Sequence, residues 1–182
     1  MKYLFLAALT ILSIALYGQD KYNYVHYNKL TELKGTPFVI ATIENFGKIS
    51  IKSEFLLFIN TSNGQTKQID FPKDAYLEKI EQIKIDSLQI NKVVIAAHTI
   101  NLDGSKSIDW DDPGQIIVLS VDGQEKTQLT EAKFFVGTWT INSYTGAIVI
   151  TGHYDTNNNG KNDKTDKNEI FDLRFEDVKT DL

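Results

Sequence analysis

The chain has 182 residues, with 19 basic and 24 acidic side chains for a formal net charge of −5, and it contains no cysteine. The acidic balance argues against nucleic acid as a partner, because displacing counterions from phosphates needs a basic face. Lacking cysteine, the chain has no disulfide, no thiol nucleophile and no thiol for lipid attachment.

Met1 and Lys2 precede an apolar stretch, Tyr3 to Leu16, that is too short for a comfortable membrane span and ends in small or polar residues. Residues 1–18 therefore read as a secretory signal peptide, with cleavage after Ala15 or Gly18, and an uncleaved anchor is the competing reading. This places the protein in a periplasm or outside the cell, with no membrane span once the signal is removed. The remainder of about 165 residues is one domain's worth and carries a charge of about −6 after Lys2 is lost. An exported domain without disulfides relies on its core, on assembly or on metal.

After a lead-in (19–35), the domain (36–182) repeats at a spacing of roughly 55 residues, in units of about 36–72, 78–130 and 134–182. Phe38–Thr42, Val93–Ala97 and Ala147–Thr151 form one set of predicted strands. Phe55–Ile59, Ile116–Leu119 and Ile170–Leu173 form the next set. In the first two units Asn63-Gly64 and Asp122-Gly123 signal tight hairpins into a further strand. Ile83–Gln89 and Trp139–Thr145 match ahead of the second and third units and end in Asp-Ser and Asn-Ser turns. Each unit is thus expected to be a four-stranded antiparallel meander. Asn28–Gly35, with Leu30 and Leu33 inward, and Pro72–Lys79, with Tyr76 and Ile80 on one side, carry weaker signals for single helical turns.

A strand that is apolar on both faces must be covered on both, so the units are expected to stack face to face. In Ile170–Phe175 the apolar residues alternate with Asp172 and Arg174. This suits either a polar outer face on a terminal unit or a strand at a sheet rim.

In sequence order, Gly114–Gly123, Gln128–Thr130, Trp139–Gly146 and Ala147–Thr151 resemble the repeat of TolB-like β-propellers, over about residues 36–178. The resemblance implies an all-β protein of stacked four-stranded antiparallel blades. Closed propellers use four to eight blades, so three units imply a partial propeller, left as an open stack or completed as a ring by a second chain in a homo-oligomer.

Between two apolar runs lies Asp155-Thr-Asn-Asn-Asn-Gly-Lys-Asn-Asp-Lys-Thr-Asp166. Oxygen side chains at its first, third, fifth, ninth and twelfth places, with Gly160 at the sixth, follow the spacing by which a short loop wraps a hard cation. Asp155, Asn157, Asn159 and Asp166 are expected to bind Ca²⁺ through side chains, Lys161 through its carbonyl, and Asp163 directly or through water. A strand stands in front and Asn162 occupies the eighth place, so the loop resembles the solitary calcium loops of dockerins and thrombospondin-type repeats. The short Asp166 and the lysines at 161, 164 and 167 imply weak affinity, on the order of 10⁻⁴ to 10⁻³ M, which still suits exterior fluid. A metal-free polar turn is the plain alternative. In the second unit, Asn101-x-Asp103-Gly104 reads as a decayed copy. In the first unit, Glu44–Lys48 is a loop with no site.

No Gly-x-Ser-x-Gly elbow or His-Glu-x-x-His motif is present. His98 and His153 stand at matching places before the loops, and residues repeated in different blades do not share a ligand geometry, so a structural role is expected. His26 has no evident partner. Trp139 sits at the repeat's aromatic place and reads as core, whereas Trp110, Asp111 and Asp112 lie in a loop and are the candidates for ligand contact. The sequence therefore points to a calcium-binding, non-catalytic module for a protein or glycan ligand. The competing readings are a calcium-dependent polysaccharide hydrolase or lyase using loop carboxylates, and a structural envelope component.

Overall fold

The computed structural model describes residue 27, residues 29–43 and 55–161, residues 163 and 166, and the backbone of 172–177. The predicted signal peptide, the Glu44–Lys48 loop, His26, and Asn162, Lys164 and Lys167 lie outside the described residues.

Eleven strands and one 3₁₀ turn make up the described chain, and the architecture is all-β and antiparallel. The first sheet contains β1 (Lys29–Glu32), β2 (Phe38–Thr42), β3 (Phe55–Asn60) and β4 (Thr66–Asp70) in sequence order. The second contains β5 (Tyr76–Ile85), β6 (Ile90–His98), β7 (Gly114–Ser120) and β8 (Lys126–Gln128), again in order. Three strands form the last sheet, β9 (Phe134–Ile141), β10 (Ala147–Tyr154) and β11 (Asp172–Asp177), with β10 central. The expected four-strand meander holds for the first two sheets, and among the described residues the third has one strand fewer.

Core packing follows from the apolar runs of β6 and β7. Val93, Ile95 and Ala97 of β6, with Ile117 and Leu119 of β7, pack against Ile40, Leu56, Phe58 and Ile69 of the first sheet. The intervening Val94, Ala96, Ile116 and Val118 pack against Phe134, Ile148 and Ile150 of the third. Successive side chains of a strand point to opposite faces, so a continuous Val/Ile run fits a sheet covered on both sides. The face-to-face expectation is met for the middle sheet.

Both short helical signals resolve as strand and turn. β1 occupies Lys29–Glu32 and pairs with β2, leaving Leu30 69% exposed while Leu33 is buried in the turn that follows. Pro72–Ala75 is a turn closed by Ala75 N–H to the Pro72 carbonyl (3.0 Å), and β5 begins at Tyr76. Within β5 the pairing with β6 slips between Leu77 and Lys79, leaving Glu78 as an extra residue. That bulge lets Leu77 and Ile80 both face the first sheet, whereas Tyr76 pairs with His98 and packs on Trp110, so Tyr76 and Ile80, expected on one side, lie on opposite faces.

The hairpins fall where the turn residues indicated, with longer loops than the dipeptides implied. Asn60 N–H donates to the Gln65 carbonyl (2.8 Å) and Gly64 N–H to the Asn60 carbonyl (2.8 Å), so four residues bridge β3 and β4. Gly64 closes the loop at φ +74°, a left-handed conformation that glycine adopts without steric cost.

The register of β11 bears on the terminal-face expectation. Arg174 pairs with Ile150 and Glu176 with Ile148, so positions 172, 174 and 176 share the sheet face of core residues; 173 and 175 share that of Thr151 and Val149. Among the described residues β11 is an edge strand; the side chains of Ile170–Phe175, on which the outer-face and rim readings turn, lie outside the described residues.

Candidate functional site

β10 delivers the chain to Asp155 as a strand, and the loop that follows is organised by its own acidic and amide side chains. Asp155 accepts from Asn159 N–H through Oδ1 (3.2 Å) and from Gly160 N–H through Oδ2 (2.8 Å). Asn157 Oδ1 accepts from Asn159 N–H (2.9 Å), and Asn159 Oδ1 from Lys161 N–H (2.8 Å). Side-chain oxygens at the third and fifth places thus wind the backbone by successive Asx turns, and the first-place carboxylate gathers the N–H groups four and five residues on. Asp163 Oδ2 accepts from the amides of Asn159 (2.6 Å) and Asn157 (3.3 Å). Asp166 closes the loop on its second residue, accepting from Thr156 N–H (3.0 Å) and Thr156 Oγ1–H (2.9 Å) through Oδ1.

This closed loop rests on the loop of the second unit. A Cβ on Gly160 would lie 2.6 Å from the Asp103 N and Cα and from the Leu102 carbonyl oxygen, and Gly160 has φ +75°. The sixth place therefore demands glycine twice, for its turn and for the neighbouring backbone. Alongside, Lys161 Nζ stands 3.6 Å from Asp103 Oδ2. The Ser105 N–H bonded to Asp103, with help from Lys161, holds the Asp103 carboxyl below the usual carboxylate range.

The structure corrects the alignment of the two loops by two residues. Gly104 (φ +69°) corresponds to Asn158 (φ +57°), not to Gly160. Ser105 N–H to Asp103 Oδ1 (2.8 Å) repeats Asn159 N–H to Asn157 Oδ1. Leu102 N–H to Asp112 Oδ1 (2.7 Å) repeats Thr156 N–H to Asp166 Oδ1. Asn101 thus stands at the first place and Asp112 at the twelfth. The repeated Asn-x-Asp-Gly spelling favoured the other alignment; the hydrogen-bond register, which spelling does not carry, decides it.

The two closing carboxylates differ in one respect. Asp112 is 1% exposed, and its Oδ2 accepts from Asp109 N–H (3.0 Å). Asp166 is equally buried, and its Oδ2 has no hydrogen-bond partner among the described residues. An unmatched carboxylate oxygen taken out of water is costly unless a cation or donor meets it.

Among the described residues, no three His, Cys, Asp or Glu side chains gather as a metal site. Asp155, Asp163 and Asp166 of the expected ligand set are therefore not gathered as one such group; the rest of the set is the amide oxygens of Asn157 and Asn159 and the Lys161 carbonyl. An all-oxygen set suits a hard cation such as Ca²⁺, and each amide oxygen that accepts one N–H retains a second lone pair.

Of the ligand-contact candidates, Trp110 is 61% exposed and Asp111 is exposed, whereas Asp112 is committed to the loop interior by burial and by both its oxygens. Trp110 packs edge-on against Tyr76, with centroids 4.6 Å apart, and against His98 at 5.8 Å. His98 Nδ1–H donates to the Asp112 carbonyl (2.9 Å), which leaves Nε2 as an acceptor. Burial, with the nearby Glu78 charge, raises the pKa of the Tyr76 hydroxyl. His153 stacks on Phe135, with centroids 5.3 Å apart and planes 8° apart. Trp139, expected in the core, is half-buried against the cluster between the second and third sheets, with Lys79 Nζ 4.6 Å from its ring centroid.

A cleft that sequence reasoning missed opens beside His98. About 230 Å³ in volume, it lies between β5–β7 and β9 and is walled by Glu78, Lys79, His98, Gly114, Gly137 and Thr138, among others. Two β-bulges meet there, at Glu78 in β5 and at Gly137 in β9. The two slips in strand register join only in three dimensions; the closest sequence signal was the break in alternation at Leu77-Glu-Lys-Ile80.

No known protein family, no curated protein and no solved structure matches this chain.

Proposed function

We propose that the protein is an exported, non-catalytic, calcium-binding module, a partial β-propeller-like stack of three blade-like units that binds its ligand through loops at one end. The reading is carried by the Asp155–Asp166 loop, whose ligand-type spacing closes on a buried Asp166 with an oxygen that meets no donor among the described residues, where its counterpart in the sister loop has one. Calcium would be held by Asp155, Asn157, Asn159, Asp163 and Asp166 and by the Lys161 carbonyl. It would supply the charge that three acids in one loop need, and would tie β10 to the loop of the second unit.

The blade reading draws on the in-order antiparallel meanders and on the middle sheet's two covered faces. Export rests on the N-terminal apolar stretch. The non-catalytic reading rests on the loop acids being used to shape backbone. The stack is left open or completed as a ring by a second chain, and molar mass in solution, equal to the monomer or twice it, decides between the two.

The test of the metal is thermal unfolding in CaCl₂ and in EGTA, for wild type and for Asp155→Ala. At ten to a hundred times the dissociation constant, calcium should stabilise wild type by about 1.4–2.7 kcal/mol. Asp155→Ala should remove that shift. Equal melts of wild type in both conditions would sink the reading.

A further inference from the structure

We infer that the groove between β5 and β9, with Trp110 packed beside its His98 wall, binds a carbohydrate chain. The 230 Å³ cleft shares Lys79 and Trp139 with a second one of about 320 Å³ that runs on along Glu81–Ile85 and Thr140–Ile141. The two spaces therefore form consecutive stretches of one groove, each suited to a ring or two and neither to a bulky compact ligand.

The groove's construction is specific. At its closed side the bulges at Glu78 and Gly137 face each other across the two sheets, and bulges recur where a strand re-aims a side chain toward a site. Small residues of the second sheet, Ala96 and Gly114, line the space, and Gly137 lines it from the third. A Cβ on Gly114 would already touch His98 Cε1 and Nε2 (3.7 Å) and Val136 (3.9 Å), so any side chain there would fill the space.

The chemistry on the walls is that of hydroxyl recognition. Glu78 accepts, Lys79 donates, Thr138 does both, and His98 is left with Nε2 as an acceptor because its Nδ1–H is spent on Asp112. Beside these stands Trp110, braced by Tyr76 and His98, with most of its indole in solvent. A rigid exposed ring next to paired donors and acceptors matches a pyranose, which offers C–H groups on its faces and hydroxyls at its edge. The groove's length favours an oligosaccharide over a monosaccharide.

This rests on the binding-module reading and names its ligand class, but it does not depend on the metal. The experiment is saturation-transfer-difference NMR on the full chain in CaCl₂, with cello-, xylo-, malto- and chito-tetraose and, separately, a tryptic casein digest as a peptide probe. At least one tetraose should receive transfer, and Trp110→Ala should weaken its binding tenfold or more while the calcium-dependent melt stays as in wild type. No transfer to any tetraose would overturn the inference, as would transfer to peptides alone, or sugar binding that Trp110→Ala leaves intact. Because the melt reads calcium separately, the failure of either idea is visible without the other.

Discussion

Asp112 and Asp166 each accept a backbone N–H from a residue ten positions earlier, and each is 1% exposed, yet among the described residues only the Asp112 carboxylate has a partner for both oxygens. The pair is an internal comparison of one closing carboxylate in two electrostatic settings.

Neutralising them should therefore give opposite results. Asp112→Asn exchanges an acceptor for an amide facing Asp109 N–H, and should cost about 1–3 kcal/mol by urea denaturation with or without calcium. Asp166→Asn removes a charge whose Oδ2 meets no donor among the described residues, and should be neutral or stabilising in EGTA while abolishing the calcium shift. Equal losses for both variants in EGTA would show that Asp166 is an ordinary buried hydrogen-bonded acid.

Docking of one loop on the other can be measured at glycine. Gly160→Ala meets rigid backbone at Leu102 and Asp103 in addition to its left-handed conformation, whereas Gly104→Ala has the same conformational problem with open space around it. The second variant should lose about 1 kcal/mol and the first clearly more, on the order of 2 kcal/mol or above. Chemical denaturation of the two side by side gives the difference, and equality would mean that the loops do not press on each other.

The two-sided burial of β7 predicts matching penalties on its two faces. Ile116 packs toward the third sheet and Ile117 toward the first, each at most 1% exposed. Ile116→Ala and Ile117→Ala should each cost about 2–5 kcal/mol. A loss under about 0.5 kcal/mol at either would show that its face is open to water.

Acid should loosen the structure through two carboxyls held below their usual range. Asp103 is lowered chiefly by the Ser105 N–H; at Asp122, burial opposes the shift and the Ser120 hydroxyl and Gln124 N–H outweigh it. For a depressed folded-state pKa the stabilisation is present above the unfolded value, about 3.9, and is lost as pH falls through the folded one. Melting temperature should therefore fall below about pH 4, and Asp103→Asn combined with Asp122→Asn should flatten that limb relative to wild type.

Much of this protein is legible along the chain. The Val/Ile runs of β6 and β7 announce two covered faces, Asn, Asp and Gly mark the hairpins, and the Asp155–Asp166 spacing marks its loop, because period-two burial and Asx-turn chemistry act over a few residues. The pieces that misled were also local. Tyr76 and Ile80 read as one face, but β5 is a strand bulged at Glu78 and turns them to opposite sides; Leu30 and Leu33 read as one face, but β1 leaves Leu30 exposed and buries Leu33 at its end. Tertiary structure alone decided the alignment of the two loops, the demand for glycine at 160, the parity of β11, and the joining of the bulges at Glu78 and Gly137 into one groove. Each depends on groups brought together from distant parts of the sequence, and no local pattern encodes which backbone a loop will rest on or which oxygen it will leave unmatched.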